Sequence, residues 1–219
     1  MTRPLLAAGR EADVYALDDR RVLRRYRRDA DVTGEAQAMR HLAGLGYPVP
    51  AVYEATGREM VLARLDGPTM AQALATAALG LAEAATHLAE LLRRLHELPP
   101  WPGAAAGAAL LHLDLHPENV LMTAQGPMVI DWCNARPGEP DLDTGLTALI
   151  LAQVAVDPEH EWSALADALL AMFLRVAPGD PTRLLDDEVL FRRAQLSTLS
   201  PAQLALIDTA AERMLACAR

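Results

Sequence analysis

HLDLHPENVLMTAQGPMVIDW, residues 112–132, is the stretch on which the reading of this chain turns. His112, Asp114 and Asn119 stand in a fixed register, with Asp114 two residues after His112 and Asn119 five after Asp114. Pro117 keeps the segment out of a helix, so the backbone can turn Asp114 and Asn119 toward one cavity. Two short strands, 119–123 and 127–131, are expected to flank a Gln125-Gly126 turn, and Asp131 ends the apolar run PMVID. A hairpin of that length is expected to return Asp131 beside Asn119, where both could hold one metal ion. Asp and Asn in a loop are most often turn formers. Three residues in fixed register, followed by a correctly spaced strand-terminal carboxylate, are much harder to reach by chance.

On the N-terminal side, 4–8, 12–17 and 21–26 read as strands rich in Val, Leu and Tyr, with a turn at Asp18-Asp19-Arg20. Ala36, Met39, Leu42 and Ala43 fall at helical spacing over 33–44. Two more strands fit 49–54 and 58–65, and Asp66-Gly67-Pro68 is a strong turn signal. Thr69 can cap a helix over 70–79. Leu81, Leu88, Leu91, Leu92 and Leu95 form the apolar stripe of another over 81–97, ended by Pro99, Pro100 and Pro102. The Ala- and Gly-rich 103–110 reads as a linker. After residue 131 the chain reads as helical to its end. Asp157-Pro158 and Ser200-Pro201 are expected helix starts. Trp162, Leu165, Leu169, Met172 and Phe173 line one face, and Leu204, Ile207, Ala211 and Met214 another. The expected class is α+β: a strand-rich lobe over 1–66 and a helical lobe over 67–219 that carries the loop.

Of the 219 residues, 52% are hydrophobic and 22% charged, which is close to ordinary globular usage, so a disordered chain is not the expectation. A formal net charge of -9 disfavours non-specific nucleic-acid binding and is compatible with a cationic substrate. Cys133 and Cys217 cannot build a disulfide framework, and neither has metal-ligand spacing. The opening residues lack the apolar stretch of a signal peptide, and Leu146 to Val156 is far shorter than a membrane span. A reduced, cytoplasmic protein, monomer or homodimer, is the expectation. All twenty basic residues are arginine; the chain contains no lysine.

Phosphoryl transfer to an alcohol needs a carboxylate that accepts or orients the hydroxyl and oxygen ligands that hold Mg2+ against nucleotide phosphates. The segment 112–131 offers both. The first lobe should then supply a basic residue for the phosphates, paired with a helical carboxylate. Without lysine, Arg24 is the candidate and Glu35 its partner. Strand alternation puts Arg24 and Arg25 on opposite faces, so only one of them can point inward. Gly9, in Ala8-Gly9-Arg10-Glu11-Ala12, lies where a phosphate-covering loop belongs, although that loop holds one glycine rather than three. Residues 62–67 fall where an adenine-contacting hinge would sit.

The segment 112–143 resembles the aminoglycoside phosphotransferase and choline kinase family. That family's loop reads His-Gly-Asp-x-x-x-x-Asn, and its metal-binding Asp is followed by Trp or a similar residue. Leu113 stands in place of the loop glycine. Gly138-Glu139-Pro140-Asp141-Leu142-Asp143 is similar to the family's Gly-Asp-Pro-x-x-Asp. The resemblance implies a protein-kinase-like bilobed fold using ATP or GTP with Mg2+. It implies Asp114 as catalytic base, Asn119 and Asp131 as metal ligands, and His112 and Asp143 as supports of the loop. His116 reads either as a structural group of the loop or as one with a direct role, and His96 as structural, through packing or capping at a helix end. The histidine-proline pair 116–117 and the short span after Asp131 favour a small hydroxyl acceptor over a protein. Asp141, Glu161, Trp162, Asp186, Asp187 and Glu188 are candidates to contact it. The missing lysine and the single-glycine loop keep a catalytically weak nucleotide-binding module as the alternative.

Overall fold

The computed structural model describes residues 4–9, 11–28, 30–195 and 199–219. In chain order the elements are β1 (Leu5–Ala8), β2 (Ala12–Ala16), β3 (Arg21–Tyr26), α1 (Thr33–Gly44), β4 (Val52–Thr56), β5 (Glu59–Ala63), α2 (Met70–Ala75) and α3 (Leu81–His96). There follow β6 (Ala109–Leu111), a single 3-10 turn (Pro117–Asn119), β7 (Val120–Thr123), β8 (Gly126–Val129) and β9 (Arg136–Gly138). The last five elements are α4 (Pro140–Ala155), α5 (Ser163–Leu174), α6 (Leu185–Ala194), α7 (Pro201–Ala205) and α8 (Ile207–Cys217). The chain divides into two compact units, one of residues up to Pro68 with Leu121–Ala135, the other of Thr69–Val120 with Arg136–Arg219.

The first unit is a five-stranded antiparallel sheet in the order β1-β2-β3-β5-β4, with α1 beside it. Arg24 lies opposite Val14 on β2 and Met60 on β5, which fixes it in the central strand. Ala36, Met39 and Leu42 are the buried stripe of α1, whose bounds match the periodicity. β4 begins at Val52 rather than at 49, because Pro50 has no N–H for a ladder. The β7–β8 hairpin joins this unit through Val129 N–H to the Pro48 carbonyl and Met122 N–H to the Pro68 carbonyl, both at 2.8 Å. Only glycine fits at position 67: φ is +150°, and a Cβ there would overlap the Met122 carbonyl.

The second unit is built around α4, which packs against α3, α5, α6 and α8. Nearly every residue of α4 from Asp143 to Gln153 is buried, as expected of a helix covered on all sides. α2 opens on the predicted Thr69 cap, a full capping box with Gln72, but ends at Ala75 rather than 79. Residues 109–111, read as linker, form β6, which pairs antiparallel with β9, a strand the sequence reading lacks. Both strands have three residues, too few for alternation to register. β6 nonetheless contributes Ala109 and Leu111 to a buried cluster with Leu113 and Leu146.

Ser200 caps α7 in a capping box with Gln203, whereas Asp157 caps no helix. Its carboxylate accepts the Glu159 N–H in a local turn, and α5 starts only at Ser163. The buried residues of α5 are Ala166, Leu169, Leu170 and Phe173, while Met172 is exposed. Those of α8 are Ile207, Ala210 and Met214, so Ala210 takes the place expected of Ala211.

Candidate active site

In the second unit, β6 runs into the loop that begins at His112. His112 and Leu113 are fully buried, and Leu113 adopts φ +62°, a left-handed conformation unfavourable for a branched side chain. This is the position where the resembled family carries glycine. Asp143, in the first turn of α4, accepts the His112 N–H at 2.9 Å and the Leu113 N–H at 2.7 Å. His96, at the end of α3, places Nε2 3.0 Å from Asp143 Oδ2, so its polar partner is a carboxylate rather than its own helix end. Burial would push the Asp143 carboxyl up, but His96, His112 and the backbone donor hold it below the usual range.

Asn119 turns its amide nitrogen inward. Nδ2 lies 2.9 Å from the Asp114 carbonyl, 3.2 Å from Asp114 Oδ2 and 3.2 Å from His116 Nε2. Among the described residues, none donates a hydrogen bond to its amide oxygen. A carbonyl-type oxygen without a protein donor is the hard ligand that Mg2+ accepts, so this side chain fits a metal role. No group of three or more His, Cys, Asp or Glu side chains converges as a metal site among the described residues. A cation would therefore complete its shell with phosphate oxygens and water.

Asp114 has a second neighbour the sequence reading lacks. Arg192, buried on α6, brings Nη1 to 3.5 Å from Asp114 Oδ1. Its Nε donates to Gln153 Oε1 of α4 at 3.0 Å, its Nη1 to Gln195 Oε1 at 2.6 Å, and Gln153 in turn donates to the Gln203 carbonyl at 2.6 Å. Burial raises the Asp114 carboxyl, yet His116, Arg192 and His112 together leave it lower than usual. Nothing local in the sequence marks Arg192, since α6 reads as a charged surface helix far along the chain from the loop.

In the first unit, Arg24 bridges two carboxylates: Nη1 is 2.6 Å from Glu35 Oε1 and Nη2 is 2.7 Å from Asp131 Oδ1. Arg25 turns the other way and pairs with Glu59 at 2.7 Å. Glu35 also accepts the Tyr26 hydroxyl at 2.8 Å and the Trp132 N–H at 3.1 Å. Arg24 additionally lies over the Tyr26 ring, 4.8 Å from its centroid. Burial opposes the charge of Arg24, but Asp131 and Glu35 outweigh it and raise its affinity for the proton. Burial also pushes the Glu35 carboxyl and the Cys133 thiol up. Trp132 is fully buried, edge-on to Tyr47 with centroids 5.7 Å apart. Asp131 itself has φ +66°. Gly9 spends its N–H on the Ala12 carbonyl at 2.9 Å, closing the β1–β2 turn. Arg10, in the expected phosphate-covering loop, lies outside the described residues.

The proposed acceptor contacts scatter within the second unit. Asp141 accepts the Asp180 N–H and the Arg183 guanidinium. Glu188 is fully buried, neither oxygen has a hydrogen-bond partner among the described residues, and burial with Asp141, Asp180 and Asp187 nearby pushes it up to about 8. A pocket of about 370 Å³ is lined by Arg136, Glu139, Leu142, Leu184, Asp187 and Phe191, and Asp114 is not part of it. No described helix is long and apolar enough to cross a membrane.

The family model described as "Phosphotransferase enzyme family" matches residues 2–108 and 101–185. No curated protein matches the sequence. Among solved structures, a choline/ethanolamine kinase family protein from Mesorhizobium loti superposes with a TM-score of 0.63 at 18% identity, over 100% of this chain and 92% of the other. Choline kinase from Cryptosporidium parvum gives 0.60 at 10% identity, over 99% and 88%. The ADP-bound aminoglycoside phosphotransferase APH(2'')-Ib gives 0.58 at 16% identity, over 98% and 92%. At these identities the likeness establishes a shared protein-kinase-like α+β fold. With the family model matched over most of its length, the chain belongs to the phosphotransferase enzyme family.

Proposed function

We propose that this chain moves the γ-phosphoryl group of ATP or GTP onto a hydroxyl of a small molecule. Asp114 is the base: the acceptor oxygen bonds to phosphorus, the bond from phosphorus to the departing nucleoside diphosphate breaks, and the hydroxyl proton goes to the Asp114 carboxylate. Asn119 and Asp131 are assigned as Mg2+ ligands. When bound, Mg2+ supplies positive charge that offsets the phosphate oxygens. Arg24, oriented by Glu35, binds phosphate through its planar fork, with Gly9 at the turn assigned to the nucleotide side. His112 and Asp143 brace the loop, Asp143 through the two backbone N–H groups it accepts.

The observation that carries this reading is the orientation of Asn119. Its nitrogen is committed to Asp114, which leaves its oxygen without a protein donor among the described residues and orients the carboxylate beside it. The ADP bound by one structural relative is in keeping with a nucleotide substrate. One observation favours the alternative, a catalytically weak nucleotide-binding module: Asp131 already spends an oxygen on Arg24.

The test is Mg2+-dependent nucleotide consumption with ATP and GTP across hydroxylated metabolites and antibiotics, beside Asp114→Asn and Asp131→Ala. Turnover lost in both variants supports the kinase. Turnover unchanged in both refutes it. Nucleotide binding that Asp131→Ala abolishes, with no acceptor consumed, selects the binding module.

A further inference from the structure

We propose that Arg192 sets the acceptor class, so that the compound phosphorylated is a neutral sugar or polyol rather than an amine. The inference rests on Asp114 being the base that meets the acceptor. The two oxygens of Asp114 are not equivalent. Oδ2 faces the Asn119 amide at 3.2 Å, while Oδ1 faces the Arg192 guanidinium at 3.5 Å, at the outer limit of a hydrogen bond. A hydroxyl approaching Asp114 on the Oδ1 side therefore arrives beside a cation and the amides of the glutamines that hold it.

Arg192 is fixed in place. α4 holds its Nε through Gln153, Gln153 is itself anchored on the Gln203 carbonyl within α7, and Gln195, the residue that follows α6, holds Nη1. A buried guanidinium tied at two points cannot swing aside for an incoming ammonium group without breaking bonds in a dry environment. Around Asp114 the charges on Asp114 and Arg192 cancel, Gln153, Gln195 and Asn119 add neutral amides, and His116 Nε2 lies 3.8 Å from Oδ2, on the side away from Arg192.

The chain's net charge of -9 does not contradict this. Exposed charges more than about 10 Å away are largely screened at ordinary ionic strength, whereas Arg192 acts at a few ångströms. A neutral hydroxyl neighbour can hydrogen-bond to these amides and to the guanidinium. An ammonium group could use the same amide oxygens, but it faces a like charge at Arg192 that a hydroxyl does not.

The experiment compares matched acceptors: hexoses against their 2-amino-2-deoxy counterparts, and glycerol against 3-amino-1,2-propanediol. kcat/KM is measured for each with Mg2+ and saturating nucleotide, at a pH where the amines are protonated. Wild-type protein is expected to favour the neutral member by about tenfold or more, given like charges a few ångströms apart. Arg192→Gln should bring that ratio toward one with the nucleotide KM unchanged, and Arg192→Lys should keep the preference.

Gln195→Glu, at a half-buried position, offsets the guanidinium charge without opening a cavity. It should shift the ratio toward the amine even if Arg192→Gln fails to fold. Asp114-dependent turnover that favours the amines overturns the inference and leaves the kinase reading standing. So does an equal loss on both members of each pair in Arg192→Gln and Gln195→Glu. Absence of Asp114-dependent turnover on either series sinks the kinase reading, and this inference with it.

Discussion

Glu188→Gln isolates the energetic cost of a buried carboxyl. Glu188 is fully buried against Gly145 of α4, where a Cβ would overlap its carboxylate, and neither oxygen has a hydrogen-bond partner among the described residues. Its folded value of about 8 stands against an ordinary 4.5. Because the folded value is raised, the contribution to stability is fully present below the unfolded value and falls as pH rises toward the folded one. The unfolded chain releases the proton while the folded chain keeps it. At about 1.4 kcal/mol per pH unit, the wild type should lose about 3 kcal/mol between pH 5 and pH 8 that Glu188→Gln does not lose. The glutamine amide carries a burial cost of its own that is independent of pH. The observable is therefore the slope of the difference, not its intercept. Urea unfolding of both proteins at several pH values measures it. Parallel stability curves from pH 5 to pH 8 would refute the reasoning, because they would mean that Glu188 is ionised in the folded state or solvated.

Leu113→Gly and Leu113→Ala both remove a fully buried side chain and should cost about 2–5 kcal/mol. Glycine is ordinarily the worse of the two by up to about 1 kcal/mol, but at φ +62° the order should reverse, and thermal melts of the pair decide it. Arg24→Gln strands Glu35, whose side chain is only 4% exposed, and should cost about 3–5 kcal/mol by urea unfolding. A loss under about 1 kcal/mol would mean that the pair is solvated. Gly67→Ala meets both a φ of +150° and the Met122 carbonyl, and should lower the melting temperature by several degrees; an unchanged melt contradicts the packing described for that turn.

The five strands of the first sheet and α1 were legible because each carries its own period and is bounded by turn residues. Pro50 shortened β4 at one end, and that too was written in the sequence. β6 and β9 were not legible. Three-residue strands have no period to detect, and the Ala-Gly composition of 103–110 imitates a linker. Asp157-Pro158 failed for a different reason: a capping residue before proline serves a tight turn as well as a helix start, and the local sequence does not distinguish them. The spacing of Asp114 and Asn119 gave the loop its internal contacts. It could not give Arg192, whose relation to Asp114 spans 78 residues and depends on how α6 packs on α4. The partner of His96 was hidden in the same way, since His96 and Asp143 meet only through the packing of α3 near α4.

Both departures from the resembled family's pattern come with local compensation. A leucine at φ +62° is unfavourable by about 1–2 kcal/mol. Leu113 nevertheless sits in the apolar cluster with Ala109, Leu111 and Leu146, and its N–H is held by Asp143. Burial of a leucine side chain is worth about 1.5–3 kcal/mol, enough to offset the strain. Arginine in place of lysine raises the opposite problem, because its five donors in a rigid fork need more acceptors than one glutamate provides. Asp131 and Glu35 take one terminal nitrogen each, and the Tyr26 ring lies against the guanidinium. Lysine at position 24 would concentrate its charge at a single nitrogen and could not span both carboxylates in this planar arrangement. The Arg24–Asp131 bond is thus a consequence of the arginine itself. On the assignments proposed above, nucleotide and Mg2+ must exchange with that bond, which makes Mg2+ affinity in Arg24→Lys a direct measure of how strongly the arginine competes. A higher affinity in the lysine variant is expected, and an unchanged one would mean that the Arg24–Asp131 pair offers no barrier to the metal.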